Sequence, residues 1–530
     1  MPPARAADDP ASTPTDATDR PDGRADDHAR RRVWRIDAAF LAMAAVALRL
    51  PALLAPRHLT FDDGQYGVVV LGLRAGDLPF RDLFSSQGPL YYPLLAVADV
   101  VGLRTLDGPR LLPVAAGMVA TVATYAIARH LGTRSAAILA AVLVATSGSL
   151  LYVTGPLSGD GPALALALVA IVLALRHRAR PSSARAVAVG LAMGAAICVK
   201  LIVVPAAIPI GILMTGIGPS GNGLTGTGSS RWVPTRAGLR ALGTSVAAAV
   251  AVLVAAVLPW GPERVWDQSV AYHQDSERLR GFGGNFTTLV QTLAERDPFL
   301  VLALLAGLGA IVWRAIRGGP STIVVATPSS PEAGEVPRAL ARWIVLPWLA
   351  LQVVFLVIEP TMWRPHIAQV VAPLALATVL LGVPAWRLVV AVCVVLTPWW
   401  FHNTSDIVWP DAYPAAEAAI VERLRALPAG AMVISDDPGF AWRAERRVPP
   451  NFVDVSMKRF QQGQLTAAVV GRAAADAEVC AVLVLSPARL GSLPDLHRRL
   501  RAAGYEVASR SAGTSERVLY ERTECDPPRS

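Results

Sequence analysis

The sequence predicts an α-helical polytopic membrane protein of about eleven transmembrane helices, followed by a small extracytoplasmic α/β domain. Three observations carry that prediction. The 530 residues are 53% hydrophobic and only 17% charged, with a mean hydropathy of +0.43, which leaves too few polar groups to coat a soluble protein of this length. Apolar runs of about 17 to 25 residues recur, each long enough to cross a hydrocarbon core about 30 Å thick; 242–259 and 365–383 are examples. From about residue 411 the long runs give way to short segments of mixed helical and strand character.

The net charge of +9 and a pI near 9.8 raise the question of a nucleic-acid partner. The arginines cluster in short segments between apolar runs, where membrane orientation accounts for them, so no nucleic acid is expected. Cys198, Cys393, Cys480 and Cys525 show no metal-ligand spacing; the first two lie in apolar runs, and only the last two are placed to pair.

Residues 1–29 lack apolar periodicity and read as disordered. With the basic run Arg30, Arg31, Arg32 and Arg35 they form a tail, 1–36, which the positive-inside rule places in the cytoplasm. A first span over 37–56 then delivers the loop 57–108, headed by FDDGQYG, to the outer face. Three apolar segments follow, at 89–103, 109–129 and 135–153. The first is short and contains Pro93 and Asp99. Laid along the interface, it keeps Asp160 outside and puts Arg129, His130, Arg134 and the basic stretch 176–185 inside.

Spans at 161–175, 186–200, 202–217, 241–258, 298–315, 342–359, 365–383 and 387–402 complete a transmembrane region 37–402. Residues 259–297 form a second outside loop, while 218–240 and 316–341 are cytoplasmic connectors rich in Gly, Ser, Thr and Pro. No internal repeat of the kind common in transporters is visible. In the region 403–530, AAIVERLRAL and LPDLHRRLRAAG have helical spacing, and AMVIS, CAVLVL and ERVLYER read as strands.

An acidic pair at a membrane boundary is costly, which suggests use, although Asp is also a good helix cap. Around Asp62 and Asp63 the sequence continues with Tyr66, Gly76, Pro79, Phe80, Gly88, Pro89, Leu90 and Tyr91. That order resembles the first outside loop of the GT-C superfamily of polyprenyl-phosphate-sugar glycosyltransferases, above all the family 39 type with its protein O-mannosyltransferases and lipid A aminoarabinose transferases. The resemblance runs on through RLLPVAAG at 110–117, ARHLGTR at 128–134, Asp160, and GLAMGAAICVK ending at Lys200. Beyond that it rests on HIAQVVAPLALA from His366 and on the carboxy-terminal domain. Where the aminoarabinose transferases have a lysine before a Pro-Pro pair, this chain has Gln87, Gly88 and Pro89, which implies a different phosphate contact or sugar.

The resemblance implies a hexosyl- or pentosyltransferase that takes its sugar from a polyprenyl-phosphate donor and passes it to a lipid, glycan or protein acceptor by single displacement with inversion. Such a reaction needs a base at the acceptor hydroxyl and positive groups at the departing phosphate. By family position Asp62 is the base. Asp63, the other member of the catalytic pair, and Asp160 would hold acceptor or sugar hydroxyls, or a divalent cation. Tyr66 and Gln87 fall in the same substrate-binding loop.

Lys200 lies between apolar runs, where its ammonium either meets a lipid phosphate or anchors the interface. His366, with Arg364 before it, opens a span on the outer side and offers the same contact. In the second outside loop, Tyr272, His273 and Arg278 suit sugar stacking and phosphate binding, or equally an interfacial aromatic belt. The literal GxGxxG at 216–221 follows a membrane span rather than a strand and is not a nucleotide site. A bacterial plasma membrane, amid membrane lipids, is the expected location. The competing reading is a transporter or flippase of lipid-linked glycans.

Overall fold

The computed structural model describes residues 22–217, 234–275, 277–317, 338–381, 386–511 and 517–525. The chain divides into two compact units, 1–40 and 41–530. In the first, a helix begins at Asp22 and runs as Asp22–Ala47 into the second. Residues 22–29 are therefore helical rather than the disordered tail expected from their polarity; ADDHARRR is made largely of residues that lose little on entering a helix. Residues 1–21 lie outside the described residues, as do most of the two Gly-, Ser- and Pro-rich connectors and the end of the GxGxxG stretch.

In the second unit the apolar runs form helices. Among the described residues five are long and apolar enough to cross a membrane: Gly108–Leu131, Asp160–Ala179, Arg236–Trp260, Leu340–Ile358 and Arg364–Leu381. Two bent pairs raise this to seven, Arg134–Ala145 with Gly148–Thr154 at 58° and Phe282–Arg296 with Pro298–Trp313 at 104°. The second bend has a clear cause. Asp297 and Pro298 interrupt the helix, and the buried Asp297 carboxylate accepts from Ser147 Oγ and Ser149 Oγ, both at 2.5 Å, which fixes the corner against the first bend. Residues 89–103 hold only Tyr91–Leu95 and Val97–Val100, helices of five and four residues. Neither can cross a bilayer at a rise of about 1.5 Å per residue.

The segment expected as span one breaks after Ala47 and resumes as the short helix Leu50–Leu53. Within it Arg49 is fully buried, donating to Thr154 Oγ1 at 2.6 Å and Ala45 O at 2.8 Å. Gly117 makes the room: a Cβ there would lie 2.0 Å from Arg49 Nε. The rest of the bundle is built of alanine-rich helices, Leu111–Leu131, Asp160–Ala179, Ser183–Val199 and Arg236–Val257 packing in sequence, with Ala368–Leu381 buried among Arg134–Ala145, Pro298–Ile316 and Arg338–Ile358. Small side chains let apolar helices approach closely, which is the attraction available where lipid competes for every apolar contact.

The carboxy-terminal region folds as expected in kind. Its sheet has four strands, β1 Met432–Ser435, β2 Val479–Val484, β3 Tyr505–Ser511 and β4 Arg517–Arg522, in the order β1-β2-β4-β3, with β1 and β2 parallel and the other pairs antiparallel. β3 was not legible in the sequence, because YEVASRS carries too few apolar residues to alternate clearly. Cys480 and Cys525 are disulfide-bonded and tie β2 to the end of β4.

This domain is fastened to the first loop. The helix Phe61–Ala75 packs on Pro438–Arg443. Two glycines of FDDGQYG make that approach: a Cβ on Gly64 would fall 2.4 Å from the backbone nitrogen of Gly439, and one on Gly67 would fall 2.2 Å from the Trp442 ring. Side chains at either position would force the two helices apart.

Candidate active site

Phe61–Ala75 starts at Thr60, whose hydroxyl accepts from the Asp63 backbone nitrogen at 3.2 Å. Asp62 and Asp63 therefore share the first helical turn, where carboxylates are favoured, and their side chains leave in different directions. Asp63 is fully buried and both its oxygens are occupied. Arg110 Nη2 and Nε donate at 2.5 and 3.2 Å, and the backbone nitrogens of Leu59 and Leu157 at 2.9 Å each.

Behind it, Arg443 donates to Asp107 Oδ1 at 2.7 Å and to Ala55 O at 2.6 Å. The Trp442 ring lies beneath both guanidinium groups, at 4.9 Å from Arg110 and 4.3 Å from Arg443. Geometry so saturated leaves Asp63 no lone pair for an acceptor hydroxyl or a cation, and its expected place as catalytic partner and metal ligand gives way to that of an anchor.

Asp62 is half-buried, and among the described residues its carboxylate has no hydrogen-bond partner. Burial raises its pKa to about 6, against a lowering pull from the Lys200 ammonium and a further push from Asp160. Asp160 opens the helix Asp160–Ala179, and Lys200 comes from the break between Ser183–Val199 and Ala207–Met214. Gly88 packs so tightly there that a Cβ would meet Cys198 O at 2.2 Å, and Leu90 donates its backbone N–H to that same oxygen at 3.0 Å. The first loop is thus pinned at the helix end that presents Lys200. Lys200 Nζ donates to Asp160 Oδ2 at 2.6 Å, while Asp160 Oδ1 is buried with no partner among the described residues. Gln369 Nε2 holds the Asp160 backbone carbonyl at 3.1 Å.

His366 approaches from the start of another helix, with Nδ1 2.9 Å from Glu359 Oε2. From the carboxy-terminal domain come Lys458 and Asp454. Lys458 Nζ donates to His273 Nδ1 at 3.0 Å, and His273 Nε2–H donates to Ser86 O at 2.8 Å. Burial holds His273 down to about 4, with the Lys458 charge adding to the effect, so the ring is neutral at pH 7 and its tautomer is fixed by these two contacts. Burial lowers Lys458 to about 8. Asp454 accepts from Ser86 Oγ at 2.6 Å and from the Ser456 backbone at 2.9 Å.

The remaining expected residues divide. Gln87 joins the cluster: its side-chain oxygen lies 3.6 Å from where a Cβ on Gly159 would be, beside the Lys200 stem, and its backbone is fixed by Tyr92 Oη and Ser269 Oγ. Tyr66 is fully buried, edge-on to Tyr91 at 4.8 Å between centroids. Tyr272 hydrogen-bonds Ser456 at 2.5 Å and joins the second loop to the domain. Arg278 bonds Ile358 O at 3.1 Å and stacks over Phe282, and Arg364 pairs with Glu295 at 3.2 Å. Through these contacts the two side chains tie neighbouring segments together.

Arg110, Glu359, Asp454 and Lys458 were missed from sequence. Arg110 stands in the quoted RLLPVAAG and its charge at a helix start was the available signal; the other three belong to segments with no motif. Among the described residues no group of three His, Cys, Asp or Glu is placed to hold a metal ion. With Asp63 saturated and Asp160 paired to Lys200, the residues do not fit the divalent cation considered above.

Comparison with known proteins bears on this arrangement. Residues 82–216 match the family model described as dolichyl-phosphate-mannose-protein mannosyltransferase. No curated protein matches the sequence. Among solved structures the chain is similar to ArnT from Cupriavidus metallidurans, in the apo state at 14% identity and a TM-score of 0.57, covering 93% of this chain and 98% of that one. The same ArnT bound to undecaprenyl phosphate aligns at 14% identity and a TM-score of 0.58, covering 93% and 99%. The chain thus shares the fold of the solved ArnT structures, and the matched stretch of the mannosyltransferase family model includes Gln87, Arg110, Asp160 and Lys200 of the site.

Proposed function

We propose that the chain is a membrane glycosyltransferase that moves a sugar from a polyprenyl-phosphate donor to a hydroxyl of an extracytoplasmic lipid, glycan or protein. The observation that carries this is the free carboxylate of Asp62 beside the Lys200, His366 and Lys458 cluster. A base with a raised pKa and the ammonium groups of Lys200 and Lys458 are what the chemistry requires at its two ends. Solved ArnT, whose fold runs through 93% of this chain, has been captured with undecaprenyl phosphate, which supports the donor class.

Asp62 takes the proton of the acceptor hydroxyl as that oxygen bonds to the anomeric carbon. The bond from that carbon to the phosphate oxygen breaks, and its electron pair leaves on the polyprenyl phosphate. Lys200 and Lys458 steady the dianion, so the sugar is inverted in one displacement. The site faces outward, with the amino terminus cytoplasmic, about eleven spans, and the α/β domain outside on a bacterial plasma membrane.

The test is single-turnover transfer by purified protein supplied with a radiolabelled polyprenyl-phosphate sugar. Wild type should form a new glycoside and Asp62→Asn should not; equal product from both removes Asp62 from the mechanism. Label that crosses vesicles without glycoside formation would favour a flippase.

A further inference from the structure

A polar cavity lies away from Lys200, at the carboxyl ends of the parallel strands β1 and β2. Its volume is about 220 Å³. Parallel strands release their chains at one edge, and ligands of α/β sheets collect there because backbone groups at that edge are left without ladder partners. Asp436 follows β1, and its two oxygens accept the backbone N–H groups of Leu485 and Ser486, which follow β2, at 2.8 and 2.9 Å. Arg489 closes the edge, donating to Asp436 O at 2.7 Å.

The opposite wall comes from the segment that precedes Asp62. His58 pairs with Asp437 at 3.1 Å, and Arg57 gives only its Nε to the protein, to Asp411 O at 2.7 Å; among the described residues its terminal nitrogens have no partner. An aromatic pair completes the lining, Tyr413 stacked on Phe440 at 5.4 Å between centroids. Its formal charges balance, with Arg57, Arg489 and Arg517 set against Asp436, Asp437 and Glu417, of which Glu417 meets Arg517 at 2.6 Å. A pocket with forked donors, carboxylate acceptors, an aromatic wall and no excess of either sign matches a ring of hydroxyl groups better than an anion.

Volume agrees. Drug-sized ligands need about 300 to 1,000 Å³, so this cavity suits one small ring. Its link to the reaction is short: the Arg489 guanidinium lies 3.9 Å over the ring of Phe61, the residue before Asp62.

We propose that this pocket is a saccharide subsite that holds one uncharged pyranose unit of the acceptor at a distance from the hydroxyl being glycosylated. The subsite rests on the transferase reading only for the source of its ligand. A glycan acceptor is thereby favoured over a bare lipid or peptide, and the α/β domain becomes an acceptor-reading element as well as a fastener.

The experiment is saturation-transfer difference NMR on the full chain in detergent, carrying Asp62→Asn so that nothing turns over. The probes are the methyl glycosides of glucose, mannose and galactose, with inorganic phosphate as competitor. Ring protons of at least one glycoside should receive saturation, and Arg57→Ala or Tyr413→Leu should lower it about fivefold at unchanged Tm; Arg517→Ala at the rim serves where Tyr413→Leu does not fold. No transfer to any glycoside, a signal indifferent to these substitutions, or displacement of the signal by phosphate overturns the subsite. Binding intact in a chain whose wild type makes no glycoside would instead sink the catalytic reading and leave the pocket standing. An active wild type without pocket binding does the reverse.

Discussion

Two regions of buried charge flank the helix Phe61–Ala75, and they are built on opposite plans. Behind the helix, Asp63, Arg110, Asp107 and Arg443 consume one another's hydrogen bonds around the Trp442 ring. In front, among the described residues, Asp62 has no hydrogen-bond partner and Asp160 Oδ1 is buried without one. Adjacent residues in one helical turn are thus divided between a finished lattice and an unfinished one. An unpaired buried acceptor such as Asp160 Oδ1 costs about 1–3 kcal/mol, and with the half-buried Asp62 carboxylate beside it this side of the helix is left open to a ligand.

Substitutions can break the contrast. Asp62→Asn should lower transfer about a thousandfold, within the range for loss of a general base, with Tm unchanged. The sign follows from its pKa of about 6, above the unfolded carboxylate value: Asp62 stabilises the fold only in its protonated form, an effect complete at low pH and lost as pH rises through 6, so nothing is forfeited at pH 7 by removing its charge. Asp63→Asn should do the opposite, costing about 3 kcal/mol by leaving Arg110 buried and uncompensated and lowering Tm, with activity falling only as folded protein is lost. If Asp63→Asn folds normally yet is inactive, the division proposed for the pair fails.

A pH profile sharpens the comparison further. Transfer should rise about tenfold per unit toward pH 6 and then level as Asp62 ionises, and in Asp62→Glu the inflection should move while the Asp63 anchor is untouched. Lys458→Met should raise KM for the donor about tenfold, the size of one lost charge-assisted contact, with kcat changed less. In wild type the same KM should climb above pH 8 as Lys458 loses its proton; a flat KM would remove Lys458 from the phosphate contact. Smallest of all, Arg278→Ala should change transfer less than about twofold, since exposed fasteners are worth little.

Legibility followed the physics of each feature. The long apolar runs, the glycine-spaced acidic loop and most strands of the small domain could be read directly, because periodicity and composition are local properties. Asp62, Asp160, Lys200, Gln87 and His366 could be named because each sits at a helix end or in a motif, where a charge is conspicuous. Their company could not. Glu359, Asp454 and Lys458 reach the cluster only through packing of segments that lie some 150 to 400 residues beyond the acidic pair or its neighbours in the chain.

The sequence by itself determined a helical membrane body, a basic amino-terminal flank, and an acidic first loop rich enough in glycine for close approach. Tertiary structure alone decided which aspartate of the pair is free. That choice depends on Arg110, Leu59 and Leu157 converging on one side of a helical turn, a three-dimensional arrangement that two adjacent identical letters cannot encode.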